Sequence, residues 1–154
     1  MSKIETNQKY FQLAKIFIEK VPFNQVIGLE LKHISSERCE IGFGMKPELI
    51  GNFYQKILHG GVVATTLDSV SGSMAAVGLL EKHAFPEDEE FAERIKKLGT
   101  IDMRIDYLQP GRGEFFTASA KLLRVGNKVA VTRSELHNEN GEIIALGTAT
   151  FLVG

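Results

Sequence analysis

Apolar residues fall at helical spacing near the start of the chain, at Phe11, Ala14, Phe17, Ile18 and Val21. They predict an amphipathic helix of about four turns from Asn7 to Val21, packed on the body of the domain, with Pro22 as its stop. From Gly28 to Met45 the period changes to two. Leu29, Leu31 and His33, then Cys39, Ile41, Phe43 and Met45, alternate with polar or small residues on either side of Ser35–Arg38, the pattern of a hairpin. Lys46–Lys56 reads as a loop rich in turn residues, and an apolar segment follows from Ile57 to Leu80. A second amphipathic helix is expected over 84–99, with Pro86 and the acidic run Glu87–Glu90 in its first turn, Phe91, Ile95 and Leu98 along one edge, Lys96 and Lys97 near its end and Gly99 as terminator. Glu90 with Arg94, and Glu93 with Lys97, are spaced for surface pairs. The last third alternates as four strands, Ile101–Tyr107, Phe115–Val125, Lys128–His137 and Ile143–Val153, with turns at Gln109-Pro110-Gly111, Gly126-Asn127 and Asn140-Gly141.

Short links make these six strands antiparallel, and about 18 residues of helix, apolar on most sides, separate the second from the third. Such a helix cannot lie on an exposed sheet face, so the sheet must curl around it. The expected architecture is α+β: a long antiparallel sheet wrapped around a central helix, the hotdog fold. It spans residues 1–154 as one domain, with an added N-terminal helix (1–21) and a helical insertion (81–99). Two edge strands then need covering, and pairing with a second copy would cover one.

The 154 residues are 44% hydrophobic and 24% charged, a balance that folds and excludes disorder. Eighteen Lys and Arg against nineteen Asp and Glu leave a net charge of -1, so no nucleic-acid partner is expected. Cys39 has no second cysteine to pair with and reads as a buried thiol suited to a reducing compartment. The first twenty residues are broken by charge every few positions, unlike the apolar core of a secretory signal, and a cytoplasmic location is expected. Between Ile57 and Leu80 the one formal charge is Asp68. An Asp at a bilayer centre costs about 2.5–3.5 kcal/mol, and the segment also carries four glycines and five hydroxyl residues, so a buried helix is expected rather than membrane insertion.

Candidate chemistry lies on that helix. Val63, Leu67, Val70, Met74 and Val77 form its bulky stripe, while Gly61, Ala64, Thr65, Asp68, Ser71, Gly72 and Ala75 form a second stripe of small residues with the carboxylate in its middle. No Lys or Arg within two turns can pair with Asp68, and burying an unpaired charge is costly, so a site open to substrate and water explains it. The helix opens His59-Gly60-Gly61, and its first amides carry the positive end of the dipole without internal acceptors. They can hold a developing oxyanion, so the carboxylate is expected to face an acyl carbon whose oxygen is gripped by the helix's amino end. His59 is read as a structural or substrate-contacting residue at the helix mouth. The four histidines are each more than twenty residues apart, and no metal is expected. Neither a nucleotide-binding glycine motif nor a GxSxG elbow occurs.

His59-Gly60-Gly61 with Leu67-Asp68, Gly51-Asn52 before them and Gly99-Thr100-Ile101-Asp102-Met103 after, resembles the phenylacetate-degradation (PaaI-like) hotdog thioesterases over about residues 22–154. Tyr107-Leu108-Gln109-Pro110-Gly111 is similar to the branch acting on medium- and long-chain acyl-CoA. The resemblance implies hydrolysis of acyl-CoA to fatty acid and CoA, without cofactor, by a homodimer or homotetramer with sites at the subunit interface. It implies Asp68 as nucleophile or general base and the Gly60 amide, beside Gly61, as the group polarising the carbonyl. Asn52 would hold substrate or water, and Thr100 would orient the attacking water from the facing subunit. Arg124, Gly126, Asn127 and Lys128 would lie near the nucleotide end of coenzyme A, or form a plain turn with solvated charges. Two other readings stand beside it. One is a non-catalytic hotdog protein that binds acyl-CoA or acyl-carrier protein; the other is a hotdog dehydratase, which would need a His-plus-acid pair.

Overall fold

The computed structural model describes residues 3–83 and 88–154. In chain order these form α1 (Lys3–Glu19), α2 (Pro22–Ile27), β1 (Glu30–Ile34), β2 (Cys39–Gly44), a 3-10 turn (Pro47–Leu49), β3 (Ile50–Asn52), β4 (Ile57–Leu58), α3 (Gly60–Lys82), α4 (Asp88–Ile95), β5 (Gly99–Tyr107), β6 (Phe115–Val125), β7 (Val129–Asn138) and β8 (Ile143–Leu152). Six strands make one antiparallel sheet in the order β1-β2-β6-β7-β8-β5, and β3 pairs with β4 as a separate ribbon. The sheet wraps α3, the hotdog arrangement that the alternation of the chain predicts. Val63, Leu67, Val70, Met74 and Val77 are buried to 3% exposure or less, packed in one core with Ile41, Phe43, Phe116, Leu136 and Ile144 of the strands. Helix α3 is long and apolar enough to cross a membrane, yet two-thirds of its 18-residue apolar stretch is buried inside the fold, as befits a core helix.

Several boundaries differ from the sequence expectation. Pro22 does not end the helical region; it opens α2, because proline has no amide to lose at a first helical position. That short helix closes on Gly28, whose φ of +84° is the left-handed cap glycine accepts without strain. Of the apolar stripe on α1, Ala14 and Ile18 are buried, while Phe11, Phe17 and Val21 stay substantially exposed. A bulge between Leu31 and His33 shifts the register of β1, so Ile34 takes the inward place and His33 points out. The stretch read as a loop, Lys46–Lys56, contains the 3-10 turn and β3, and β3 pairs with β4 at the start of the apolar segment. The second helix is shorter than expected, and its ion pair is Glu93 with Lys96 rather than Lys97. Pro86 and Glu87 lie outside the described residues.

Cys39 is fully buried in β2, and burial pushes its thiol from 9.0 up to about 12, with the Glu40 charge adding to the shift. The folded state therefore holds the proton more tightly than the unfolded chain. This contribution to stability is complete below about pH 9 and is lost as the pH rises toward 12. Native protein should react slowly with a thiol reagent at pH 8 and quickly once unfolded in denaturant; rapid labelling of the native state would contradict the burial.

Candidate active site

The amino end of α3 is built by close backbone approach. Gly51 of β3 lies so near His59 that a Cβ there would sit 2.6 Å from the His59 Cα, so the ribbon can present the helix start only with glycine at this position. His59 is the N-cap: its backbone is extended, its Nδ1 accepts from the Gly61 amide at 2.8 Å, and its carbonyl accepts from the Val62 and Val63 amides at 2.9 and 3.3 Å. The cap thereby occupies the Gly61 amide that the sequence makes a candidate oxyanion donor. Gly60 stands at the first helical position, where its amide has no intrahelical acceptor. The Tyr107 hydroxyl donates to the Gly60 carbonyl at 2.9 Å and ties the end of β5 to this mouth.

Asp68 lies two turns further along, half-buried, and the Thr100 hydroxyl of β5 donates to its Oδ1 at 2.8 Å. Thr65, Ser69 and Gly72 flank it on α3. Each neighbouring hydroxyl is fixed: Thr65 donates to the Gly61 carbonyl at 2.8 Å, Ser69 to Asn24 Oδ1 at 3.2 Å and Ser73 to the Ser69 carbonyl at 2.9 Å. Together they form the polar floor of a pocket of about 380 Å³ whose apolar walls are Phe17, Val21, Phe23, Ala76, Leu98 and Phe151. Among the described residues, no Lys or Arg lines it. An ionised carboxylate with a hydroxyl donor beside it, facing an apolar cavity, can position a water or attack an electrophilic carbon delivered there.

The expected residues do not all converge within one chain. Gly60 and Asp68 are eight residues apart on one straight helix, about 12 Å of rise, so the same helix cannot grip an acyl oxygen at its amino end and attack that acyl carbon with its own carboxylate. The Thr100 hydroxyl donates to Asp68 of its own chain. Asn52 is not among the residues lining the pocket, and its Oδ1 folds its own loop by accepting from the Tyr54 and Gln55 amides at 3.1 Å each. Arg124 stands near the end of β6, and Gly126, Asn127 and Lys128 form the β6–β7 turn, closed by the Gly126 amide on the Val129 carbonyl at 2.7 Å. That turn lies at the far end of α3, where Lys82 reaches the Val125 carbonyl at 3.4 Å, about 21 Å of helical rise from Asp68. The small-residue stripe is also divided: Thr65, Asp68 and Gly72 reach the pocket, whereas Ser71 and Ala75 are sealed in the core.

Sequence reasoning missed Asn24. It is 5% exposed, donates to the Phe17 carbonyl at 3.4 Å and accepts from Ser69, so it joins α1 and α2 to the turn of α3 that carries Asp68. A polar residue inside the apolar run Val21–Ile27 was the available signal, but nothing local distinguishes it from a surface asparagine.

The family model described as the thioesterase superfamily matches residues 55–145, which contain His59, Gly60, Asp68 and Thr100. The chain is 44% identical over 155 residues to the medium/long-chain acyl-CoA thioesterase YigI of Escherichia coli K12, with 100% of both chains covered, and equally to that of Salmonella typhimurium. A crystal structure of a Shewanella oneidensis protein related to the thioesterase superfamily aligns with a TM-score of 0.93 at 47% identity, covering 99% of this chain and 100% of that one.

Proposed function

The chain belongs to the thioesterase superfamily, and from that premise we propose that residues 1–154 act as one domain that hydrolyses medium- to long-chain acyl-CoA to free fatty acid and CoA. The observation that carries this reading is the Asp68–Thr100 pair at the polar floor of an otherwise apolar pocket. A thioester needs little else: a base or nucleophile for the acyl carbon and a donor for the oxygen as it becomes anionic. In one route water, giving a proton to Asp68, bonds to the acyl carbon, the C–S bond breaks and the CoA sulfur leaves with that proton; in the other the Asp68 carboxylate bonds to the acyl carbon as the thiolate leaves, and water then splits the mixed anhydride, freeing the fatty acid, restoring the carboxylate and supplying the proton that the thiolate takes up. The acyl chain lies along Phe17, Val21, Phe23 and Leu98, where burial supplies binding that the reacting groups need not.

The oxyanion donor in this reading is the Gly60 amide of a second copy, because the 12 Å of rise forbids the first copy's own. Strand β5 supports such pairing. It is a sheet edge, with Ile101 57% and Tyr107 55% exposed, and it carries both Thr100 and the tyrosine that holds Gly60. A homodimer, or a dimer of such dimers, brings one copy's Asp68 to the other's helix mouth. Asn52, on the ribbon leading into that mouth, would then reach the site from the same copy as Gly60. The exposed Arg124 and Lys128 are proposed to meet the phosphates of CoA. A reducing compartment such as the cytoplasm suits its unpaired, buried cysteine.

Release of free thiol from a panel of saturated acyl-CoAs tests the reading. Cleavage well above the spontaneous rate, strongest on medium and long chains, is expected. Binding without cleavage would instead favour a non-catalytic acyl-CoA protein.

A further inference from the structure

The pocket that holds Asp68 does not end at its apolar walls. Phe17, Ser73 and Ala76 also line a second, narrower cavity, closed on its far side by Ala14, Ile34, Val77, Leu80 and Phe91. With a volume of about 10 Å³, this seam between α1 and α3 is too small for more than a single water and, as it stands, admits no alkyl chain. Among the described residues its one polar side chain, Ser73, is already bonded to the Ser69 carbonyl, so an alkyl chain entering it would strand no hydrogen-bonding side chain described there.

Resting on the acyl-thioesterase reading, we propose that Phe17 is a gate that sets the length of acyl chain the enzyme accepts. Its neighbours on α1 anchor the helix, Ala14 at 4% and Ile18 at 0% exposure, whereas Phe17 itself is 36% exposed at the boundary of both cavities. The ring can therefore change rotamer without unpacking the helix that carries it. A chain that ends within the first pocket never meets the seam. A longer one displaces the ring and threads between α1 and α3 beneath Phe91, and each methylene buried there raises kcat/KM by up to about fourfold. The carbonyl of Phe17 is held by Asn24, which is bonded to Ser69 next to Asp68, so the gate stays in register with the reacting end.

The test is the ratio of kcat/KM for palmitoyl-CoA to that for octanoyl-CoA. Phe17→Ala joins the two cavities and should raise this ratio by about fivefold or more; Ala76→Val narrows their shared wall and should lower it by a similar factor. Phe17→Trp, at the same exposed position, supplies the narrowing if Ala76→Val fails to fold. Ratios unchanged within about twofold in folded variants, or moved in the same direction by both kinds of substitution, overturn the gate. If wild type cleaves both thioesters and the ratios stay put, only the gate falls; if wild type cleaves neither, the acyl-thioesterase reading falls and takes the gate with it.

Discussion

Asp68→Asn is expected to lower kcat for acyl-CoA hydrolysis by about 10²- to 10⁴-fold, the range a positioned general base contributes, while substrate binding stays close to wild type. The substitution is nearly isosteric. Its amide oxygen can still accept the Thr100 hydroxyl that now bonds Asp68 at 2.8 Å, so the floor of the pocket should keep its shape. What disappears is the negative charge, and with it both the capacity to take a proton from water and the capacity to attack the acyl carbon directly. Thiol release measures the first effect, and calorimetric titration with a non-hydrolysable thioether analogue of the acyl-CoA measures the second. A variant that keeps a tenth or more of wild-type kcat would remove Asp68 from the chemistry. Equal loss of binding and turnover would make it a recognition residue only.

Gly60→Pro should be nearly as damaging, by about 10²- to 10³-fold in kcat, and its interest lies in what happens on mixing. Proline deletes the one amide assigned to the oxyanion, and it does so at a first helical position, where it is tolerated. His59 already has the extended conformation, φ -63° and ψ 135°, that a residue before proline requires. A Cβ at residue 60 would meet the Tyr107 ring at an ordinary 3.5 Å. The helix should therefore survive the change. Co-expressed with Asp68→Asn, the Gly60→Pro chain should recover roughly a quarter of wild-type activity: half the dimers are mixed, and each mixed dimer has one intact site out of two. Two inactive chains that stay inactive together, in dimers shown by light scattering to be mixed, would rule out a shared site.

The two experiments separate residues that a reader of the chain could find from an arrangement only partly readable there. His59-Gly60-Gly61 and Asp68 stand out because charge and glycine are conspicuous on an otherwise apolar helix. Thr100 was visible only through a family resemblance; in the fold its hydroxyl lies on the same chain's Asp68, 32 residues away. Asn24 carried no usable signal, since a single asparagine in a short helix looks like surface until Ser69 is packed against it. The apolar stripe of α1 was legible, but not its division of labour, with Ala14 and Ile18 in the core and Phe17 and Val21 walling the pocket.

By itself the sequence determined the local matters: which stretches alternate with period two or 3.6, which face of α3 is bulky, where its dipole begins, and that its amino end and its carboxylate are eight residues of rise apart. Those follow from backbone geometry and neighbouring side chains alone. The tertiary structure decided which hydroxyl meets Asp68, which aromatic rings enclose it and which edge of the sheet is left open. These contacts join segments tens of residues apart, and they depend on strand register, on the register shift between Thr100 and Asp102 in β5 and on the curl of the sheet around α3. Such features arise only when the whole chain packs at once, because no short segment contains both partners of the contact.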